Sequence, residues 1–565
     1  MRTNRLMAAA LALAAVLGLV SCGLAAPGAA VPSPAPSTPS APPPTAEPAP
    51  APPDTLRWSL EGISDLPSID PARPQGILST TLINLVFSGL VRLDERLEAV
   101  PEGAESWDVS DDGMVYTFTL RPNLAFGDGT PVTASDFVYS INRALAPETA
   151  SFGAPAQLGR IVGAQDVIEG RAREVSGVRA LDERTLEITL DAPLAYFLAQ
   201  LSYPFTFVVP RALVEGGGDW QRAAYGTGPF KIAAVRPGEA IELIANEHYW
   251  AGKPGVEKVY MPFSPDAETA YQRYRAGELD IMGNRDNPVP PARVPEVRGT
   301  PDFRSAALLT TRYVGFNNSR PPFDRAEVRR AFAMAVDKQL IASSVLSDTV
   351  LPAGRILPQG LLGTQYPIRQ LGYDAEAARQ ELAAAGYPGG AGFPQVRISF
   401  AIEGDNALVV DALRRAWQEN LGLTVEAEAL PLDEFIAKLD RTYFAPQDEG
   451  SLDLYLSVWG ADYPDPQNFL SQQLTTGSRN NNGHWSDPEF DRLVAEADRI
   501  YSRTQIERRL QLYNQAEQIA IDKVGWLPLF YPRFNILLHP RVQGMEATPN
   551  GLVAPDWTQV RAAGQ

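Results

Sequence analysis

The chain has 565 residues, a formal charge of -18 and a single cysteine. That acidity counts against nucleic-acid or anionic-lipid binding over a broad face, and a lone cysteine excludes an internal disulfide framework. A domain commonly takes ~100–200 residues, so more than one core is expected.

At the amino terminus, Arg2 and Arg5 precede an apolar run over 7–20, which Leu19-Val20-Ser21-Cys22 closes. A run this short is a secretory h-region, since spanning a bilayer takes ~20 apolar residues. The segment resembles a bacterial lipobox. That makes 1–21 a lipoprotein signal peptide and Cys22 a lipidated residue that ties the protein to a membrane. An ordinary signal peptide with an incidental cysteine is the alternative. Residues 22–54 are mostly Ala and Pro and read as an extended linker.

The body then alternates strand and helix patterns. Leu56, Trp58 and Leu60 alternate as in a strand, and so does 115–120, with Tyr116, Phe118 and Leu120 on one face. Thr133 to Asp136 has the form of a capping box, with Phe137, Val138 and Ile141 following at helical spacing. Asp324 opens a second helix in the same way, with Val328, Ala331, Phe332 and Ala335 as its buried stripe. Leu452, Leu454, Leu456 and Val458 alternate along a strand that ends at Trp459-Gly460, and Asp487-Pro488 begins a further helix. The mixture predicts an α/β body.

Catalytic and metal-binding patterns are sparse. The three histidines, His248, His484 and His539, show no metal-ligand spacing, and no nucleophile elbow or phosphate loop is present. No metal, cofactor or enzymatic activity is expected. His484 reads as a surface or hydrogen-bonding histidine. The strand end at Trp459-Gly460-Ala461-Asp462-Tyr463 is the candidate site. Ligands of open α/β sheets bind beyond such strand ends, where an aromatic supplies area, Gly460 allows close approach and Asp462 can hold a cation. An Asp/Pro turn with Trp459 in the core is the alternative.

Several segments together resemble one family. They are Trp107 to Gly113, Phe126-Gly127-Asp128-Gly129-Thr130-Pro131 with its continuation to Asp136, Thr227-Gly228-Pro229-Phe230, Asn246 to Trp250, Tyr274 to Asp280, and 322–338. The chain is similar over 56–560 to the family 5 extracellular solute-binding proteins of ABC importers, of the oligopeptide and dipeptide type. The resemblance implies a two-lobed α/β fold of the periplasmic-binding-protein kind (type II, cluster C), with an extra subdomain on the first lobe and hinge strands between lobes. Lobe one would hold 55–80, 205–304 and 521–565, the subdomain 81–204, and lobe two 305–520.

The resemblance also implies a function and a site. The protein would be a monomeric receptor that binds a peptide between its lobes and delivers it to a permease and ATPase complex. Asp462 would hold the ligand's α-amino group, with Trp459 and Tyr463 lining the cleft or standing behind it. Phe152 would lie against the ligand, or else in the subdomain core. Gln75 and Ile77 would meet the peptide main chain by strand-like pairing. The arginine that peptide binders carry just upstream of the Trp segment is missing from 454–458, and Arg441, expected in the preceding loop, is a possible substitute. A non-peptide solute (an oligosaccharide, an opine or a metal complex) and a surface chaperone or adhesin are the alternatives.

Overall fold

A computed structural model describes residues 54–549 and 551–562; the leader, Cys22 and nearly all of the linker lie outside the described residues. Near the amino terminus, Thr55–Arg57 runs parallel to Lys258–Ser264, and antiparallel strands Ala240–Ala245 and Phe230–Arg236 continue that sheet. Leu56, Trp58 and Leu60 are all buried there, although the chain breaks into two short strands around Trp58, which bridges to Ile281.

A separate antiparallel sheet is built from Ala104–Val109, Val115–Leu120, Thr185–Thr189 and Val178–Ala180. Tyr116, Phe118 and Leu120 turn inward as the alternation predicts, against Phe137 and Ile141 of helix Ala134–Leu145. At that helix start the Asp136 carboxylate accepts from the Thr133 N–H and hydroxyl, both at 2.8 Å. The second helix starts one residue later than predicted. Arg325 rather than Asp324 occupies its N-cap position, with no side-chain cap bond, while Val328, Ala331, Phe332 and Ala335 are buried as expected.

The largest sheet contains Thr310–Phe316, Leu454–Gly460, Val396–Ala401 and Val425–Leu430. Leu454–Gly460 lies between two partners, so Tyr455 is buried together with Leu454 and Leu456. The predicted alternation fails at Val458, which is 50 % exposed where the strand leaves the core.

Strand Leu527–Leu538 joins the two lobes. Its first half pairs with Thr310–Phe316 and Val350–Pro352, and its second half with Phe303–Ala307 and Ile281–Met282. Just before this strand, Ile521, Val524 and Trp526 are buried in the clusters that hold Tyr455, Leu454 and Leu456. Beyond the crossing, buried Asp280 accepts from Arg57 and Arg541, with Arg57 Nη2 at 2.7 Å and Arg541 Nε at 2.6 Å. Burial pushes its carboxyl upward, but those two guanidinium groups prevail and hold it below the usual range. This pairing gives Asp280, within the Tyr274 to Asp280 motif, a structural role.

Candidate functional site

Strand Leu454–Gly460 ends by passing Ala461, whose N–H donates to the Leu309 carbonyl at 2.8 Å. The chain then turns through Asp462 and Tyr463 to Asp465, which caps helix Pro466–Phe469. Both Asp465 oxygens accept from Arg509 at 2.7 Å, an ion pair whose side chains are almost fully buried. This anchor fixes the turn, and among the described residues Asp462 forms no ion pair.

Asn468 in that helix grips the motif. Its side-chain oxygen accepts from Trp459 Nε1 at 3.0 Å and from the Asp462 N–H at 3.1 Å, and its Nδ2 donates to Asp462 Oδ2 at 3.1 Å. Asp462 is exposed at its surface, yet the protein around its carboxyl withdraws enough water to raise its pKa, with the Asn468 bond opposing the shift. A raised, unpaired carboxylate gains much from a cation delivered to it. Asn468 was not found from the sequence, because an Asn six residues past Asp462 carries no pattern of its own.

The other expected residues separate. Trp459 is half-buried and Gly460 exposed beside Thr310, whereas Tyr463 is buried and stacks on Tyr196 of the 81–204 segment, ring centroids 4.3 Å apart and planes within 8°. Phe152 is fully exposed, which rules out the subdomain-core reading. Gln75 and Ile77 do not lie on a strand. Gln75 precedes helix Gly76–Val86, Gly76 turns through φ +79°, and Ile77 sits in the first helical turn. The two residues thus form a helix start rather than a strand. The far end of that helix is held by close approach of two glycines: a Cβ on Gly226 or Gly228 would come within 2.4 or 2.6 Å of Val86 backbone atoms.

An open cavity of about 300 Å³ is lined by Ile77, Leu85, Tyr203, Arg285, Phe534 and Trp557, among others, at the lower end of ligand-pocket sizes. Tyr203 joins this cavity to the motif. Burial pushes its hydroxyl up to about 12, and the negative charge of Asp462 adds to the shift. On the wall, burial raises Glu102 to about 8, against the Gly89 N–H and the charges of Arg92 and Arg121, so it is mostly protonated at neutral pH. Arg441 lies in helix Leu432–Phe444 rather than in a loop, exposed and packed against Gly450. His484 is half-buried, with Nε2 at 3.1 and 3.0 Å from the Thr442 and Tyr443 carbonyls, a hydrogen-bonding role.

The sequence profile of the bacterial extracellular solute-binding proteins, family 5 Middle, matches residues 98–481. The chain belongs to this family. The periplasmic oligopeptide-binding protein OppA of Salmonella typhimurium is 31% identical over 493 residues, covering 85% of this chain and 88% of OppA. The probable deoxycholate-binding periplasmic protein YgiS of Escherichia coli is 32% identical, covering 85% and 89%. Among solved structures, the periplasmic murein tripeptide binding protein MppA in its unliganded open form superposes with a TM-score of 0.79 at 28% identity, covering 91% of this chain and 98% of MppA. Members of this family are binding proteins. The fold is the two-lobed one of that class. Among the described residues, no helix is long and apolar enough to cross a membrane.

Proposed function

We propose that the chain is the extracytoplasmic receptor of an ABC importer and that its ligand is a short peptide held between the lobes. The observation that carries the peptide assignment is Asp462, a desolvated carboxylate at a strand end with no cation beside it, held by Asn468. An α-ammonium group satisfies such a carboxylate; deoxycholate, an anion without an amine, does not. Ile77 lines the cavity; in this reading Gln75, two residues before it, and the exposed Phe152 add contact, and Trp459 and Gly460 flank Asp462 at the strand end.

Ligand contacts spread over two lobes are complete only when the lobes meet, so binding shifts the population toward the closed form. The permease recognises that form, the ATPase drives uptake, and the receptor itself catalyses no reaction. In this reading Cys22 carries the lipid anchor, the linker spaces the monomeric body from the membrane, and the lobes take the ranges drawn from the sequence, with the last boundary placed in the crossing strand.

The test is mass spectrometry of whatever co-purifies with residues 23–565, before and after denaturation, beside an Asp462→Ala variant. Short peptides released by the wild type and missing from the variant support the assignment. A bile acid, a sugar or an empty cleft overturns the peptide ligand while leaving the family intact.

A further inference from the structure

A peptide that places its amino group on Asp462 still has a carboxylate to satisfy, and strand Leu454–Gly460 offers no arginine for it. Resting on the peptide reading above, we infer that Arg285, on the opposite lobe, binds the α-carboxylate of the bound peptide.

Arg285 lies on the wall of the same cavity as Ile77 and Tyr203. Its Nε is buried with no hydrogen-bond partner, and among the described residues it forms no ion pair. A desolvated guanidinium left this way is costly, and its planar fork suits a carboxylate bidentately. Burial lowers its pKa, opposed only by Tyr203 and by its neighbour Asp286, which is exposed. Arg92 lines the cavity as well, beside the Glu102 carboxyl.

Tyr203 places Arg285 relative to Asp462. The charges of Asp462 and Arg285 both reach its hydroxyl, and among the described residues the two side chains form no ion pair with each other. Two opposite, unpaired charges that share a neighbour without neutralising each other match the two ends of a zwitterion.

The loop that presents Arg285 is set before any ligand arrives. Glu61 accepts from the Gly283 N–H at 3.2 Å and from Asn284 Nδ2 at 2.7 Å. Asn284 Oδ1 in turn accepts from the Asp286 and Asn287 N–H groups at 2.8 and 2.9 Å. The residues on either side of Arg285 are thus pinned, and its side chain alone is left over. Because Asp462 and Arg285 belong to different lobes, a peptide that satisfies both also holds the lobes together, which ties recognition of a free carboxyl end to closure.

The test uses equilibrium dialysis with a mixed library of tri-, tetra- and pentapeptides, as free acids and as C-terminal amides, read by mass spectrometry. The wild type should retain the acids about 10- to 100-fold better than the amides, the range of one charge-assisted contact. Arg285→Gln should lose that preference while still retaining amides as the wild type does, and Arg285→Lys should recover part of it. Equal retention of acids and amides by the wild type overturns the role of Arg285 and leaves the peptide receptor standing. A preference that persists in Arg285→Gln, with its melting temperature unchanged, overturns it too. Retention of neither library overturns the peptide reading itself, and this inference with it.

Discussion

Asn468 holds Asp462 twice, accepting from its backbone N–H and donating to its carboxylate, each at 3.1 Å. The same amide oxygen also takes the Trp459 indole N–H at 3.0 Å, so one side chain sets the angle of the aromatic and of the charge. The geometry of this strand end is therefore set by the fold itself.

The charge on Asp462 should matter more to binding than to folding. Asp462→Asn keeps the shape and still offers an acceptor to Asn468, but loses the anion. Peptide affinity should fall by the ~1.5–3 kcal/mol of a charge-assisted bond, while the unliganded melting temperature rises, because a desolvated charge has been removed. Calorimetric titration and thermal unfolding of the two proteins check both directions.

Binding should also weaken in acid earlier than an ordinary carboxylate would dictate. Burial raises the Asp462 carboxyl above its usual value, and only the ionised form attracts an ammonium group. Affinity for a free-amine peptide should therefore be full well above the raised pKa and decline as the pH falls through it, at higher pH than the ~3.9 of a model aspartate. Titrations across pH 4 to 8 follow the midpoint. Asn468→Asp, which adds a like charge, should move that midpoint upward.

Removing the grip outright should cost stability as well. Asn468 is fully buried, and Asn468→Leu would leave the Trp459 N–H and Asp462 without their partner. The expected loss is about 1–3 kcal/mol, with a shift in tryptophan emission and weaker peptide binding. Denaturant melts read at several wavelengths test it.

Asp280 supplies a separate pH signature. Its carboxyl is held down by Arg57 and Arg541 despite burial. A depressed pKa contributes stability that is present above the unfolded value of ~3.9 and is lost as the pH falls through the lower folded value. Acid melts should show that loss below about pH 4, and Asp280→Asn should remove it. The variant should also be less stable at neutral pH by ~3–5 kcal/mol, since it removes the shared counter-ion of two largely buried guanidinium groups.

The sequence made some of this legible and hid the rest for physical reasons. Tyr116, Phe118 and Leu120 alternate because their sheet has one dry face, so period two is visible. Strand Leu454–Gly460 is central, and Tyr455 is buried beside the leucines, which blurs the pattern without hiding the strand. Gln75 and Ile77 were expected on an extended segment, although Ser79, Leu82, Ile83 and Val86 already follow helical spacing. Asp462 could be proposed because a motif surrounds it. Asn468 and Arg285 could not, since one acts from the next helix and the other from a loop whose Asn-rich sequence reads only as a turn. The distance between a motif and its partners in space is a tertiary fact.

The central claim is that Asp462 receives the amino terminus of a peptide. Its most direct test is the affinity of the wild type for a mixed tripeptide library with free amino termini against the same library N-acetylated, measured at pH 7 with Asp462→Asn alongside. The account predicts that acetylation abolishes most of the binding by the wild type and changes little in the variant. Equal binding of the free and acetylated libraries by the wild type would contradict it.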